Sequence, residues 1–389
     1  MAKLLWLASW YPNPYDHFIG DFIQRHADAV SLFTPVELIH VLQIGAYTKV
    51  EKSFVQKNKR GNLTEHIHVF AFNPTGIAIL DKIRYNLAYQ HYYLRILQDF
   101  FREYGQPDLI HVHVPIKAGI IARIILGKWR IPYIVSEHGS YYETSAPDHF
   151  STRSKYFQSQ TKKIFRDALA VTNVSAAIGK KIEAITGKPI TRVIHNVVNT
   201  NLFYYKPKET AALFRWIHVS TMHEQKNPEG LLQAFTLLFA KRTDWELLLC
   251  GSVNDGLHEH IQSLPYKDKI TCTGEISYTE VARQMRRANA FVLFSNHENF
   301  PCVIIEALCS GLPVIATNTG GIAEAVDDTN GLLVNVHDVD ALTESMNELM
   351  ERYSRFNRVD IALQASLRYN PSAIGRQFMD LYRGLGFGA

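Results

Sequence analysis

Cysteine is scarce in this chain: four among 389 residues. Cys250, Cys272, Cys302 and Cys309 form no C-x-x-C pair and sit in apolar contexts. A disulfide framework or zinc site is therefore not expected, and the pattern suits reduced core thiols of a cytosolic protein. Long hydrophobic runs are missing as well. The greasiest stretch, residues 116–126, is broken by Lys117 and Arg123 and falls short of a membrane span. The opening KLLWLAS is too short for a secretory leader and runs into polar WYPNPYDH. No Gly-x-Gly-x-x-Gly follows a strand, since Gly251 stands alone after residues 248–250. That removes the dinucleotide signature of an oxidoreductase. Excess charge is small too, at +4. It is too mild to indicate nucleic acid, though it suits transient contact with an anionic membrane surface.

With 47% hydrophobic and 20% charged residues, the composition is that of a globular protein long enough for two domains. Strand-like runs at residues 4–9, 36–40, 109–112, 133–136, 169–172 and 192–194 alternate with helical periodicity. A second series follows at 214–219, 246–250, 270–273, 290–294, 313–317 and 332–334, with helices such as 228–239 and 341–353. Alternation of this kind predicts βαβ units and parallel sheets, hence an α/β protein of two Rossmann-like domains. The polar stretch 204–210 reads as a linker. The expected division is 1–205, 206–370 and a terminal helix in 371–389, with Ile374, Phe378 and Tyr382 at i, i+4, i+8. Residues 77–104 predict one long amphipathic helix or a broken pair, with Ile83, Leu87, Tyr93, Leu94, Leu97, Phe100 and Phe101 at helical spacing. Core packing is the favoured use of that stripe, and a membrane-facing role is the alternative.

Glu298 and Glu306 are eight residues apart in SNHENFPCVIIEALCSGLPVIATNTGG. The first follows a strand-like run; the second lies about a turn into an apolar helix that Gly311 and Pro313 stop. Two carboxylates thus sit where a strand hands over to a helix, at the mouth of an open α/β sheet, where ligands bind. Taken singly, each would be an ordinary loop or helix-start charge. Asp338-Val339-Asp340 is a D-x-D, but its place between a strand and a helix predicts that Asp340 is an N-cap, so no metal is expected.

The whole run Ser295, Glu298, Glu306-Ala307, Gly311, Pro313-Val314-Ile315-Ala316, Gly320-Gly321 resembles the signature of family 4 retaining glycosyltransferases of the GT-B fold. The resemblance covers nearly the whole chain. It implies two Rossmann-like domains facing across a cleft, the final helix crossing back to the first domain. It also implies sugar transfer from a nucleoside diphosphate sugar to a sugar, polysaccharide or lipid-linked acceptor, without metal or cofactor, at the inner membrane face. Glu306 would accept the donor's ribose hydroxyls and Glu298 its sugar hydroxyls. Lys226 would bind the diphosphate, beside Phe300 and the helix start at Cys302 and Val303. Pro301, without an N–H, stands where the family often has glycine, so Cys302 or Val303 would supply the amide. Gly20 matches a phosphate-loop glycine. His138, in Ser136-Glu137-His138-Gly139, matches the family's active-site histidine. His113, in a His-x-His with His111, would lie behind it or toward the acceptor. Thr221 stands where the family commonly has an arginine, and His223 is the nearby candidate to replace it. In residues 193–203, Asn196 and Phe203 match a family segment while His195, Val197 and Asn199 depart from it, which supports the fold and no catalytic role. The alternatives are an epimerase or phosphorylase on the same fold, or a non-catalytic nucleotide-sugar-binding protein, for which Thr221 is the best argument.

Overall fold

The structure, a computed structural model, describes residues 3–42, 52–207 and 212–388. Strands such as Leu4–Ala8, Leu109–His113 and Tyr133–Glu137 are buried along their full length. Such strands suit a parallel sheet with both faces covered. Alternate residues of Leu4–Ala8 serve the two faces: Leu5 and Leu7 enter one core, Leu4, Trp6 and Ala8 another.

The first sheet has eight strands. Their order is Phe54–Arg60, Leu63–Val69, Val36–Leu42, Leu4–Ala8, Leu109–His113, Tyr133–Glu137, Val171–Asn173, Arg192–Val193. All pairings are parallel except that of Phe54–Arg60 with Leu63–Val69. The second sheet has six parallel strands: Ile270–Cys272, Trp245–Cys250, Phe214–Val219, Ala290–Leu293, Val314–Thr317, Gly331–Val334. In each sheet the first strand in sequence lies where the order reverses, flanked by strands built in opposite directions. The crevice beyond the carboxyl end of such a strand is where ligands bind in open α/β sheets.

The terminal helix Pro371–Gly384 packs on the first domain. Tyr382 hydrogen-bonds His111 Nδ1 through its hydroxyl at 2.7 Å, and Phe378 lies against Trp6. Residues 78–104 form one helix, Ala78–Tyr104. Among the described residues, no helix is long and apolar enough to cross a membrane.

Several local expectations need correction. The hairpin Phe54–Arg60/Leu63–Val69 was not in the expected strand set; its outer strand is polar and mostly exposed, so it lacks the apolar run that marks the others. The strand expected at 169–172 lies at Val171–Asn173. Asp338, not Asp340, caps the helix Val339–Glu351, accepting from the Ala341 N–H at 2.9 Å. Cys250 and Cys309 are core thiols, whereas Cys272 is exposed and Cys302 half-buried. Of the expected linker, residues 208–210 lie outside the described residues.

Candidate active site

A cavity of about 570 Å³ opens between the carboxyl edges of the two sheets. Arg25, His138 and Arg153 line it from the first domain, and Lys226, Glu298 and Glu306 from the second. Phe300, Cys302, Val303 and Thr221 line it as well. Gly20, His113 and His223 do not.

Glu298 follows the strand Ala290–Leu293 in a short loop, buried, where its Oε1 accepts from Lys226 Nζ at 2.5 Å and Ser295 Oγ at 2.8 Å. The loop is held from behind by the glycine turn. Gly320 has φ +57°, and a Cβ there would fall 2.1 Å from the Glu298 carbonyl oxygen. At Gly321 a Cβ would meet Ser175 of the first domain at 2.4 Å. Glycines stand here because two chain segments pass too close for any side chain.

Glu306 lies in the helix Cys302–Cys309 and is buried. Its Oε1 accepts from Arg25 Nη1 at 2.6 Å and from the Tyr278 hydroxyl. Burial pushes its carboxyl pKa up, and the Arg25 charge and the Tyr278 hydrogen bond oppose that. Cys302 and Val303 begin this helix, whose first N–H groups have no intrahelical partner and favour an anion.

His138 follows the strand Tyr133–Glu137. Glu137, fully buried, fixes the turn by accepting from the His138 and Gly139 N–H groups at 2.8 Å and from the Tyr141 and Tyr142 hydroxyls at 2.7 Å. His138 Nε2 contacts His113 Nδ1 at 3.1 Å, and His113 stacks on Trp6. His26 is a third neighbour, 5.5 Å ring to ring. Burial holds all three imidazoles below the ordinary histidine range, His26 at about 4, so they are neutral. One ligand atom from each lies within 4.8 Å of the others. Each neutral ring carries one N–H, so the bond between His113 and His138 leaves one outer nitrogen a donor and the other an acceptor. His138 Nδ1 and His113 Nε2 are those two, both buried without a partner.

Sequence reasoning missed the residues that close the cleft. Asn299 donates to the His138 and Gly139 carbonyls at 3.1 and 3.3 Å and accepts from Ser175 Oγ at 2.7 Å. Glu324 accepts from the Ala176 and Ala177 N–H groups at 3.0 Å, at the start of the helix Ala176–Thr186. Asn196 donates to the Phe300 carbonyl at 2.7 Å, and His195 stacks on the Phe300 ring at 4.4 Å. That gives the departing segment a structural task. Gly20, at φ +69°, starts the helix Asp21–Ser31; a Cβ there would sit 2.6 Å from the Trp10 carbonyl carbon. It lets the loop fold onto Trp10, which does line the cavity.

Two doubly wound parallel-sheet domains, closed edge to edge over one cavity, make up the GT-B architecture of glycosyltransferases. The profile described as Glycosyltransferase Family 4 matches residues 52–202, and that described as Glycosyl transferases group 1 matches residues 209–363. The uncharacterized glycosyltransferase MJ1178 of Methanocaldococcus jannaschii is 30% identical over 349 residues, 87% of each chain. The chain belongs to glycosyltransferase family 4, and it is a glycosyl-transferring enzyme. The putative teichuronic acid biosynthesis glycosyltransferase TuaC of Bacillus subtilis is 22% identical over 361 residues, 88% of each. Among solved structures, Anabaena HepE in complex with UDP superposes with a TM-score of 0.75 at 19% identity, over 98% of this chain and 100% of that one.

Proposed function

We propose that the protein moves a glycosyl group from a nucleoside diphosphate sugar to a hydroxyl acceptor, with retention of anomeric configuration and without a metal ion. The observation that carries this reading is the pairing of Lys226 with Glu298 and of Arg25 with Glu306 in one interdomain cavity, beneath His138. Charges this well buried need partners, and here they neutralise one another. A donor offers matching partners. Its diphosphate takes Lys226 and the amides of Cys302 or Val303, its ribose diol takes Glu306, and its sugar hydroxyls meet Glu298 and His138. As the bond from the anomeric carbon to the diphosphate oxygen breaks, negative charge gathers on the leaving group. The cation and the helix start stabilise that charge. HepE, a relative in fold, has been solved with UDP-glucose, which supports a nucleotide-sugar donor. Asp338 is occupied as a helix cap and does not line the cavity, so the D-x-D offers no metal there.

The acceptor we favour is a growing polysaccharide or a lipid-linked sugar at a membrane face. TuaC, named for teichuronic acid biosynthesis, supports that class. The start of the helix Ala78–Tyr104 also supports it. That helix begins on the carboxyl edge of the first sheet, the edge that carries His113 and His138. It exposes Ile79, Leu80, Ile83 and Leu87 next to Lys82 and Arg84. Exposed apolar residues edged by cations suit an anionic lipid surface.

The test is a product assay. The protein is incubated with UDP-, GDP- and ADP-sugars and a lipid-linked or oligosaccharide acceptor, with and without EDTA. The expected result is a new glycoside with the donor's anomeric configuration, formed equally with chelator. An inverted product, or activity lost to EDTA and restored by Mn²⁺, contradicts the reading.

A further inference from the structure

Arg25 and Glu306 belong to different domains and meet across the cleft. Arg25 stands on the helix Asp21–Ser31, and its Nη1 lies 2.6 Å from Glu306 Oε1. The two side chains are only 15% and 2% exposed. The guanidinium is itself braced. Nη2 meets Asp21 Oδ2 at 2.5 Å, Nη1 also reaches the Tyr278 hydroxyl at 2.5 Å, and the Tyr278 ring lies 5.2 Å from its centre. Tyr278 donates to the same Oε1. Among the described residues, Glu306 Oε2 makes no hydrogen bond, and Glu306 lines the cavity.

From this geometry we infer that Arg25 is a positioning residue for donor recognition. It reaches across the closed cleft, pins Glu306 by one oxygen, and leaves the other oxygen for the donor's ribose diol. The inference rests on the donor reading above. It makes donor affinity a property of both domains, because the second domain's carboxylate is set up by a first-domain cation. Opening the cleft would undo the arrangement.

Asp21, Tyr278, Cys302 and Arg25 are the titratable groups that face Glu306. Burial favours its neutral form, and the Asp21 carboxylate adds to that. Tyr278 is held protonated by burial and by Glu306 itself. The Cys302 thiol, on the same helix as Glu306, is pushed up to about 12 by burial and stays neutral. Arg25 is the cation in direct contact. Without it a buried carboxyl takes up a proton as pH falls, and a protonated acid has less acceptor capacity for a diol. The single-oxygen contact separates this role from that of a simple latch. A latch would have to be displaced by the donor, so removing it would tighten binding.

The experiment measures binding of UDP, GDP and ADP by calorimetry at pH 8 and pH 6. It uses the full chain as wild type, Arg25→Met, Arg25→Lys and Glu306→Ala, each checked for folding by circular dichroism. The expected result is that Arg25→Met binds the preferred diphosphate roughly tenfold more weakly than wild type at pH 8. The deficit relative to wild type should widen at pH 6, and Arg25→Lys should recover most of the loss. If Arg25→Met does not fold, Arg25→Lys carries the test, with a smaller deficit that still widens at pH 6. Arginine variants that bind as tightly as wild type or tighter, while Glu306→Ala binds weakly, overturn the positioning role alone. If wild type binds none of the diphosphates, or Glu306→Ala binds like wild type, the donor reading itself fails, and this inference with it.

Discussion

Lys226 and His138 approach the cavity from opposite domains and are prepared differently. Lys226 is paired with Glu298 at 2.5 Å, and on the proposed reading it exchanges that partner for a phosphate. His138 is locked by Glu137, Asn299 and His113 and has one buried nitrogen left for a ligand. On the proposed reading, its task is to position the sugar near the departing diphosphate. His138→Ala should lower the rate of transfer far more than it weakens binding of the free nucleoside diphosphate. Paired rate and affinity measurements on the same folded variant check this. Near-normal turnover removes His138 from the chemistry; an equal loss of both places it in the nucleotide pocket. These residues were legible because each lies in a short local pattern at a strand end. Arg25 was not, since its partner is 281 residues away and its spacing from Asp21 reads as a surface helix pair. Tyr278 was hidden for the same reason: its role exists only once two helices from separate domains converge.

The long helix Ala78–Tyr104 divides along its length. Tyr89, Tyr93, Leu97, Phe100 and Phe101 enter the core, whereas Ile79, Ile83 and Leu87 are 79%, 55% and 63% exposed. The expected stripe was thus mostly core, with Ile83 and Leu87 left on the surface, because periodicity marks an apolar face without saying what covers it. We predict that the protein sediments with anionic phospholipid vesicles. Changing Ile79, Ile83 and Leu87 together to serine should abolish this without unfolding the helix. Equal binding by both forms, or none by wild type, contradicts the prediction. The buried parallel strands could be read from their apolar runs, except Leu63–Val69, where Thr64, Glu65, His66 and His68 break the run. The edge strand Phe54–Arg60 could not, since its backbone pairs on one side only and its side chains face water. The βαβ alternation carried the two-sheet architecture, and the terminal helix on the first domain was implied by family likeness alone.

Histidines whose rings burial holds neutral give the molecule a pH dependence. His26, His40, His68 and His218 are lowered to about 4, and His111, His113 and His138 are held well below the ordinary histidine value. Burial is the chief cause in each, because it disfavours the charged ring. Below pH 6.5 the unfolded chain takes up protons that the folded chain refuses. Their contribution is complete above 6.5 and lost as pH falls toward 4, at about 1.4 kcal/mol per unit for each ring. Asp28, raised to about 6, and the raised carboxyls of Glu137 and Glu306 act in the opposite direction, but they are fewer. Denaturant midpoints should therefore drop steadily from pH 7 to pH 5; a flat profile would show that water reaches these rings.

The two domains meet through hydrogen bonds at Asn299 and Ser175, through the Glu324 carboxylate at the start of the helix Ala176–Thr186, and through the Arg25–Glu306 pair. The central claim is that this cavity receives a nucleoside diphosphate sugar on Glu306. It is tested most directly by thermal unfolding of wild type and Glu306→Ala against a panel of nucleotide sugars. A ligand that binds the folded state raises its melting temperature by mass action. The account predicts that at least one nucleotide sugar stabilises the wild type, and that the same compound at the same concentration has little effect on a folded Glu306→Ala protein. Equal stabilisation of both proteins, or no shift of the wild type by any member of the panel, would contradict it.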